Sequence, residues 1–121
     1  MADIQDIVTR YLDAFNETDP AQRQRIVQGL WGSESTYTDP AVDLRGPQQV
    51  ETFIAATQER FPGYVFKLGS EVDAHHDQAR FQWHAGPEQE SEPTFVGFDV
   101  LVADGERLRS VYGFIDAAPA G

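Results

Sequence analysis

The residues of this chain that could do chemistry are two aspartates and a tyrosine that lie far apart in sequence. Asp39 stands at the end of a short extended run, immediately before Pro40. Because proline disfavours helical geometry in the residue before it, Asp39 is predicted to be extended, with a carboxylate that can point inward. If Tyr11 and Asp99 converge on the same pocket, the three side chains could carry out proton transfer.

The surroundings of Asp99 set it apart from an ordinary surface aspartate. Its sequence neighbours are Phe98 and Val100, and its own strand face carries Gly97 and Leu101. A buried aspartate costs several kcal/mol unless it is paired or protonated. Gly97 leaves room on that face for a ligand or for close packing. Asp99 is therefore a candidate for function.

Each of the three residues also has a structural explanation. Tyr11 lies on the apolar face of a helical pattern and could be a packing residue. Asp39 could be a turn residue that accepts hydrogen bonds from local backbone N–H groups. Asp99 could be paired across the sheet with Arg80 or Arg109. The sequence alone leaves these alternatives open.

Composition and charge bound the function classes. The 121 residues predict a single domain, 1–121, and the absence of cysteine excludes disulfides, thiolate metal sites and cysteine nucleophiles. A net charge of −11 disfavours binding to nucleic acid or to an anionic membrane surface. The acidic N-terminus shows no signal peptide, and no apolar run is long enough to span a membrane, so a cytoplasmic location is expected.

The hydrophobic pattern predicts three helices followed by a sheet. The helices cover about 4–15, 20–30 with Gly32-Ser33 as the end of the second, and 47–60. Two short extended runs, 36–38 and 42–45, separate the second and third helices, and four strands follow at 64–75, 78–85, 94–103 and 107–116. This order predicts an α+β fold with the helices on one face of the sheet.

The strand 94–103 is apolar on both faces. Helices can cover only one of them, so the second face is predicted to be buried against another copy of the chain. A homodimer through the open sheet face is therefore expected.

Several motifs together resemble the SnoaL-like group of the NTF2-like superfamily. They are Arg-Tyr-Leu-Asp-Ala-Phe-Asn around Tyr11, Tyr-Thr-Asp-Pro around Asp39, Arg-Gly-Pro before a helix with Phe53-Ile54, and Gly-Phe-Asp ending at Asp99. Their spacing is similar to that of ketosteroid isomerase. The resemblance implies an NTF2-like (cystatin-like) cone, in which three N-terminal helices pack on a curved, mainly antiparallel sheet around a pocket, and it usually implies a dimer.

The resemblance also implies a role for each candidate. Asp39 corresponds to the general base, Tyr11 to the phenol of the oxyanion hole, and Asp99 to its protonated acid. A small hydrophobic carbonyl compound is the expected ligand, and no cofactor is expected. The predicted substrate-binding residues are apolar or aromatic: Phe15, Trp31, Phe53, Ile54, Tyr64, Phe66, Phe81 and Phe95.

Other sites are disfavoured by the sequence. His75-His76-Asp77 has the composition of a metal site, but adjacent strand residues are expected to point to opposite faces, so no metal site is predicted. An epoxide-hydrolase site of the limonene type needs Arg-x-Asp, whereas the chain has Arg80-Phe81-Gln82. Two functions stay open: an isomerase or cyclase that uses Asp39 as base, and a ligand-binding or dimeric assembly module without chemistry.

Overall fold

The structure is a computed structural model that describes residues 3–119. Within this range the chain forms three helices and seven strands, which confirms the predicted α+β class. In chain order they are α1 (Ile4–Asn16), α2 (Pro20–Leu30), β1 (Trp31–Thr38), β2 (Asp43–Arg45), α3 (Pro47–Arg60), β3 (Tyr64–Leu68), β4 (Asp73–His75), β5 (Gln78–Pro87), β6 (Phe95–Asp104) and β7 (Arg107–Ala117). No helix among the described residues is both long enough and apolar enough to cross a membrane.

Local sequence signals determine where the helices begin. The Asp3 and Asp19 carboxylates accept backbone N–H groups at the starts of α1 and α2, and Pro20 takes the first position of α2. The predicted end of α2 at Gly32-Ser33 is wrong, because the chain becomes extended at Trp31 and pairs there with Leu108 of β7.

The sheet is mixed and open, with the strand order β2-β1-β7-β6-β5-β3 and with β4 paired to β5. Every pair is antiparallel except β1 with β7, which is parallel. The predicted single strand 64–75 is two strands, because the Ser70 hydroxyl accepts the Gln82 N–H group and interrupts regular pairing after Leu68. Three helices on one open, mainly antiparallel sheet are the arrangement expected of an NTF2-like cone.

The core lies between the helices and the inner face of the sheet. Tyr11 and Asp99 meet there, because the buried stripe of α1 faces the odd-numbered residues of β6. The largest fully buried side chains are Trp31, Phe81, Ile7, Leu30, Ile54, Leu101, Leu108, Val8, Val27, Val50 and Val111.

The outer face of the sheet carries exposed aromatic side chains. Tyr112 and Phe114 of β7 are 45% and 54% exposed, and they lie opposite Val100 and Phe98 of β6. Exposed contiguous apolar surface of this kind often marks a protein interface. The homodimer through this face stays a prediction.

Replacing Phe114 with glutamate tests the homodimer. We expect light scattering at micromolar concentration to find a dimer for the wild-type chain and a monomer for Phe114→Glu, because a charge in the centre of an apolar interface would have to be desolvated. Leu68→Glu is the control, since Leu68 is 46% exposed at an edge strand and lies away from the outer face of β6 and β7. A wild-type chain that is monomeric under these conditions would contradict the prediction.

Candidate active site

An apolar cavity of about 380 Å³ opens between α3 and one end of the sheet. Five of the predicted substrate-binding residues line it: Phe15, Phe53, Tyr64, Phe66 and Phe95. The other lining residues are Tyr37, Asp39, Ala41, Ala56, Thr57, Arg60, Phe61, Trp83, Ala85 and Ile115.

The prediction is wrong for Trp31, Ile54 and Phe81, which do not line this cavity. They are 0%, 0% and 1% exposed and belong to the core. The rings of Trp31 and Phe81 lie 6.0 Å and 6.2 Å from the ring of Tyr11, on whose ring they pack. They therefore fill the interior around Tyr11 instead of bordering open space.

Asp39 lines the cavity and is held there by three donors. The Tyr37 hydroxyl donates to Oδ2 at 2.8 Å, and the backbone N–H groups of Ala41 and Val42 donate to Oδ1 at 2.8 and 3.2 Å. Asp39 is therefore both a turn residue and a cavity residue, because its Oδ1 accepts the N–H groups of the turn and its Oδ2 accepts the Tyr37 hydroxyl. The side chain has a fixed orientation and is only partly buried.

Asp99 and Tyr11 form a buried pair. The Tyr11 hydroxyl donates to Asp99 Oδ2 at 2.6 Å, and the Trp83 indole N–H donates to Asp99 Oδ1 at 3.0 Å. The alternative of a salt bridge is wrong, because Arg80 pairs with Asp73 at 2.9 Å and no ion pair within residues 3–119 includes Asp99.

The pKa of Asp99 is raised toward neutral pH. Burial raises the pKa of Asp99 from 3.8 to about 6, the hydrogen bonds from Tyr11 and Trp83 lower it, and the charge of Asp39 raises it. Burial also raises the pKa of Tyr11 and that of Tyr37 well above 10.0, with further increases from the two carboxylates. Both phenols are therefore neutral hydrogen-bond donors near neutral pH.

A recess of about 20 Å³ lies beside the cavity, with space for about one oxygen atom or water molecule. Its polar walls are Tyr11, Tyr37, Trp83 and Asp99. Tyr37 and Trp83 also line the cavity, so the two spaces share walls. The other walls of the recess are Leu12, Phe15 and Phe66. A small compartment with four hydrogen-bonding side chains therefore adjoins the apolar cavity.

Gly113 shows how close the two aspartates lie. A Cβ atom placed on it would be 3.0 Å from Asp99 Oδ1 and 3.3 Å from Asp39 Cβ. Gly113 faces Asp99 across the β6–β7 pairing, and β7 runs beside β1, which ends just before Asp39. The structure thus brings together all three of the residues singled out in the sequence.

Sequence reasoning missed Tyr37 and Trp83 as polar members of the site. Tyr37 had a usable signal, since it lies two residues before Asp39 and so on the same side of an extended run. Trp83 had a weaker one, because Gly97 is its partner across the β5–β6 pairing and provides the space for a large ring.

Replacing Gly97 with alanine tests the placement of Trp83. The new Cβ would lie 2.0 Å from indole Cζ2 and 2.7 Å from the Phe114 carbonyl oxygen, so we expect a loss of about 1–3 kcal/mol in unfolding free energy. Urea denaturation followed by tryptophan fluorescence measures it. Gly29→Ala is the control, because its nearest neighbour is the flexible end of Arg10, 3.1 Å away. If the unfolding free energy of Gly97→Ala equals that of the wild-type chain, the placement of the Trp83 ring against Gly97 is contradicted.

The histidine pair differs from its predicted arrangement. His76 has a φ of 53°, so the chain turns and the Nδ1 atoms of His75 and His76 lie 3.0 Å apart instead of on opposite faces. No group of three or more metal-ligating side chains is assembled in the part of the chain that the structure describes.

Comparison with known proteins gives the family. The pattern of the SnoaL-like domain matches residues 8–111. The chain belongs to the SnoaL-like family. A SnoaL-like family structure from Agrobacterium tumefaciens, named as a presumed isomerase, is 32% identical over 93% of this chain and 97% of its own, with a TM-score of 0.87.

Two more distant structures share the fold of this SnoaL-like protein. A presumed ketosteroid isomerase from Kribbella flavida is 16% identical, with a TM-score of 0.70 and coverage of 96% of this chain and 79% of its own. A presumed polyketide cyclase from Sinorhizobium meliloti is also 16% identical, with a TM-score of 0.70 and coverage of 89% and 93%. No curated protein matches the sequence significantly.

Proposed function

We propose that this SnoaL-like protein is a cofactor-independent enzyme of the isomerase or cyclase type. Its substrate would be a hydrophobic carbonyl compound, and its reaction a proton transfer at the carbon next to the carbonyl. The observation that carries the proposal is the juxtaposition of Asp39, a carboxylate in an apolar cavity, with the recess formed by neutral phenols and Asp99.

The chemistry follows from the position of each group. Asp39 Oδ2 takes a proton from the α-carbon, and the C–H electron pair moves into the carbonyl group to give an enolate. The enolate oxygen occupies the recess. The Tyr37 hydroxyl, which donates to Asp39 Oδ2 in the free protein, turns to donate to the enolate oxygen as Asp39 Oδ2 takes the proton. The Tyr11 hydroxyl turns in the same way from Asp99 Oδ2 to the enolate oxygen. Return of the proton from Asp39 to a different carbon gives an isomer. Attack of the enolate carbon on a second carbonyl group of the same substrate forms the C–C bond that closes a ring, and the oxygen of that carbonyl takes the proton from Asp39.

Asp99 would act as a third donor, beside the two phenols, once the substrate oxygen is in place. Negative charge that develops in the recess raises the pKa of a neighbouring carboxyl, because two like charges in a buried site repel each other. The pKa of Asp99 is already about 6 through burial, so a modest further increase protonates it near neutral pH. Its proton could then be donated to the enolate oxygen.

The similar structures support the class of reaction. The Agrobacterium tumefaciens protein is named as a presumed isomerase, and the Sinorhizobium meliloti protein as a presumed polyketide cyclase. Both reactions can begin with removal of a proton next to a carbonyl, which is the step that Asp39 would perform.

The alternative is a binding module with the same cavity and no chemistry. Two backbone N–H groups donate to Asp39 Oδ1, so a role in the turn accounts for the fixed position of its side chain without catalysis. Turnover of a β,γ-unsaturated ketone, which produces an absorbing conjugated ketone, distinguishes the two functions. An enzyme would lose that turnover in Asp39→Asn, and a binding module would not show it in the wild-type chain.

A further inference from the structure

The cavity lining includes one cationic side chain, Arg60, that takes no part in the proposed proton transfer. Among the described residues that line it, Asp39 is the only acid and Arg60 the only base. Arg60 lies in the last turn of α3 and is exposed. It forms no ion pair within residues 3–119.

The position of Arg60 is set by the cavity-lining face of α3. Ala56 and Thr57 lie three and four residues after Phe53, Arg60 lies four and three residues after them, and all four line the cavity. The guanidinium carbon lies 5.3 Å from the centroid of the Phe61 ring, and the Phe61 ring is in turn 5.2 Å from that of Phe95. Arg60 is thus directed over an aromatic wall of the cavity.

Among the described residues, no other side chain of the cavity forms an ion pair with the Arg60 guanidinium, Asp39 included. The hydroxyl of the neighbouring Thr57 donates to the Phe53 carbonyl oxygen within the helix. The phenol of Tyr37 donates to Asp39. The chain as a whole has a net charge of −11 and repels anions. The Arg60 guanidinium at the apolar cavity is a local positive charge that attracts them to this site.

We propose that Arg60 selects substrates that carry an anionic group, such as a carboxylate, in addition to the carbonyl. The carbonyl end would enter the recess near Asp99, and the anionic end would lie against the Arg60 guanidinium. This assignment rests on the proposed function for the position of the carbonyl, but the binding of the anionic end does not require turnover. The substrate class is therefore hydrophobic keto acids or compounds of equivalent charge.

A matched pair of probes tests this selection without knowledge of the natural substrate. 8-Anilinonaphthalene-1-sulfonate is an anion, and N-phenyl-1-naphthylamine is its neutral counterpart. In fluorescence titrations we expect Arg60→Gln to weaken binding of the anion about two- to fivefold, the range for an exposed charged contact, and to leave binding of the neutral probe unchanged. Arg60→Lys should retain most of the preference for the anionic probe, and added salt should weaken only the binding of the anionic probe.

The controls separate selection from a general loss of structure. Arg25→Gln removes an exposed charge from α2 at a residue that does not line the cavity, and it should change neither affinity. Ala56→Trp places a large ring in the cavity and should weaken both probes, which shows that they bind there. Asp39→Asn should not weaken the anionic probe, so a failure of the proposed catalysis can be told apart from a failure of this selection.

Two results would overturn the proposal. One is an Arg60→Gln variant that binds both probes as the wild-type chain does, with at most a lower melting temperature; Arg60 would then serve only the C-terminal end of the α3 dipole. The other is an equal weakening of both probes, which would make its contribution one of packing rather than charge.

Discussion

Asp39→Asn is expected to lower kcat for a β,γ-unsaturated ketone by about 10²–10⁴-fold, with little change in ligand affinity. The amide cannot accept the α-proton at a useful rate, whereas its shape is that of the carboxylate. Asparagine Oδ1 can still accept the N–H groups of Ala41 and Val42, and the Tyr37 hydroxyl can turn to accept from the amide. The fold and the cavity should therefore be preserved.

A second aspartate provides the matched control for this variant. Asp43 is exposed, begins β2 and does not line the cavity, so Asp43→Asn removes the same charge a few residues away. Absorbance of the conjugated product gives kcat, and competition by a saturated ketone gives affinity. If Asp39→Asn turns over the ketone as fast as Asp43→Asn, Asp39 is not the base. A fall in affinity equal to the fall in rate would indicate a binding role.

Asp99→Asn is expected to be more stable than the wild-type chain at neutral pH, with an advantage that disappears in acid. Burial raises the pKa of Asp99 to about 6 in the folded chain, against 3.8 in the unfolded one. The native state therefore binds the proton more tightly, and stability falls as pH rises from below 3.8 to above 6. The ionised carboxylate thus costs about 3 kcal/mol at high pH, at 1.36 kcal/mol for each pKa unit.

Urea denaturation as a function of pH measures this cost. The difference in unfolding free energy between Asp99→Asn and wild type should grow by about 2 kcal/mol from about pH 4.5 to about pH 7.5. The asparagine oxygen can accept from Trp83, and its amide can donate to the Tyr11 hydroxyl, so no buried polar group is left without a partner. Asp73→Asn is the control, because Asp73 is exposed and pairs with Arg80. A difference that does not change with pH would contradict a raised pKa.

Much of the fold could be predicted because its signals are local. The apolar face of α1, the cap and proline that begin α2, and the Gly-Pro pair that begins α3 each specify their element in a few residues. The parallel pairing of β1 with β7 could not be read locally, since residues about 74 positions apart form it and only the tertiary structure brings them together. The break between β3 and β4 depends likewise on a side-chain hydrogen bond to another strand.

The sequence predicts the residue types of the candidate site but not which of them contact one another. Asp99 stood out because a lone acid in an apolar strand needs a partner, and that partner is Tyr11. The contribution of Trp83 depends on a register in which Gly97 lies directly opposite. Likewise, periodicity places Trp31, Ile54 and Phe81 on the inner face but does not say whether that face meets a cavity or packed side chains.

Exchange of α-protons with solvent tests the role of Asp39 most directly, because it needs no knowledge of the natural product. A small hydrophobic ketone is incubated with the protein in D₂O, its binding is checked by saturation-transfer NMR, and the loss of the α-proton signal is followed. The account predicts catalysed exchange with the wild-type chain and with Asp43→Asn, and none above background with Asp39→Asn. Exchange at the wild-type rate in Asp39→Asn, or no exchange of a ketone that the wild-type chain binds, would contradict it.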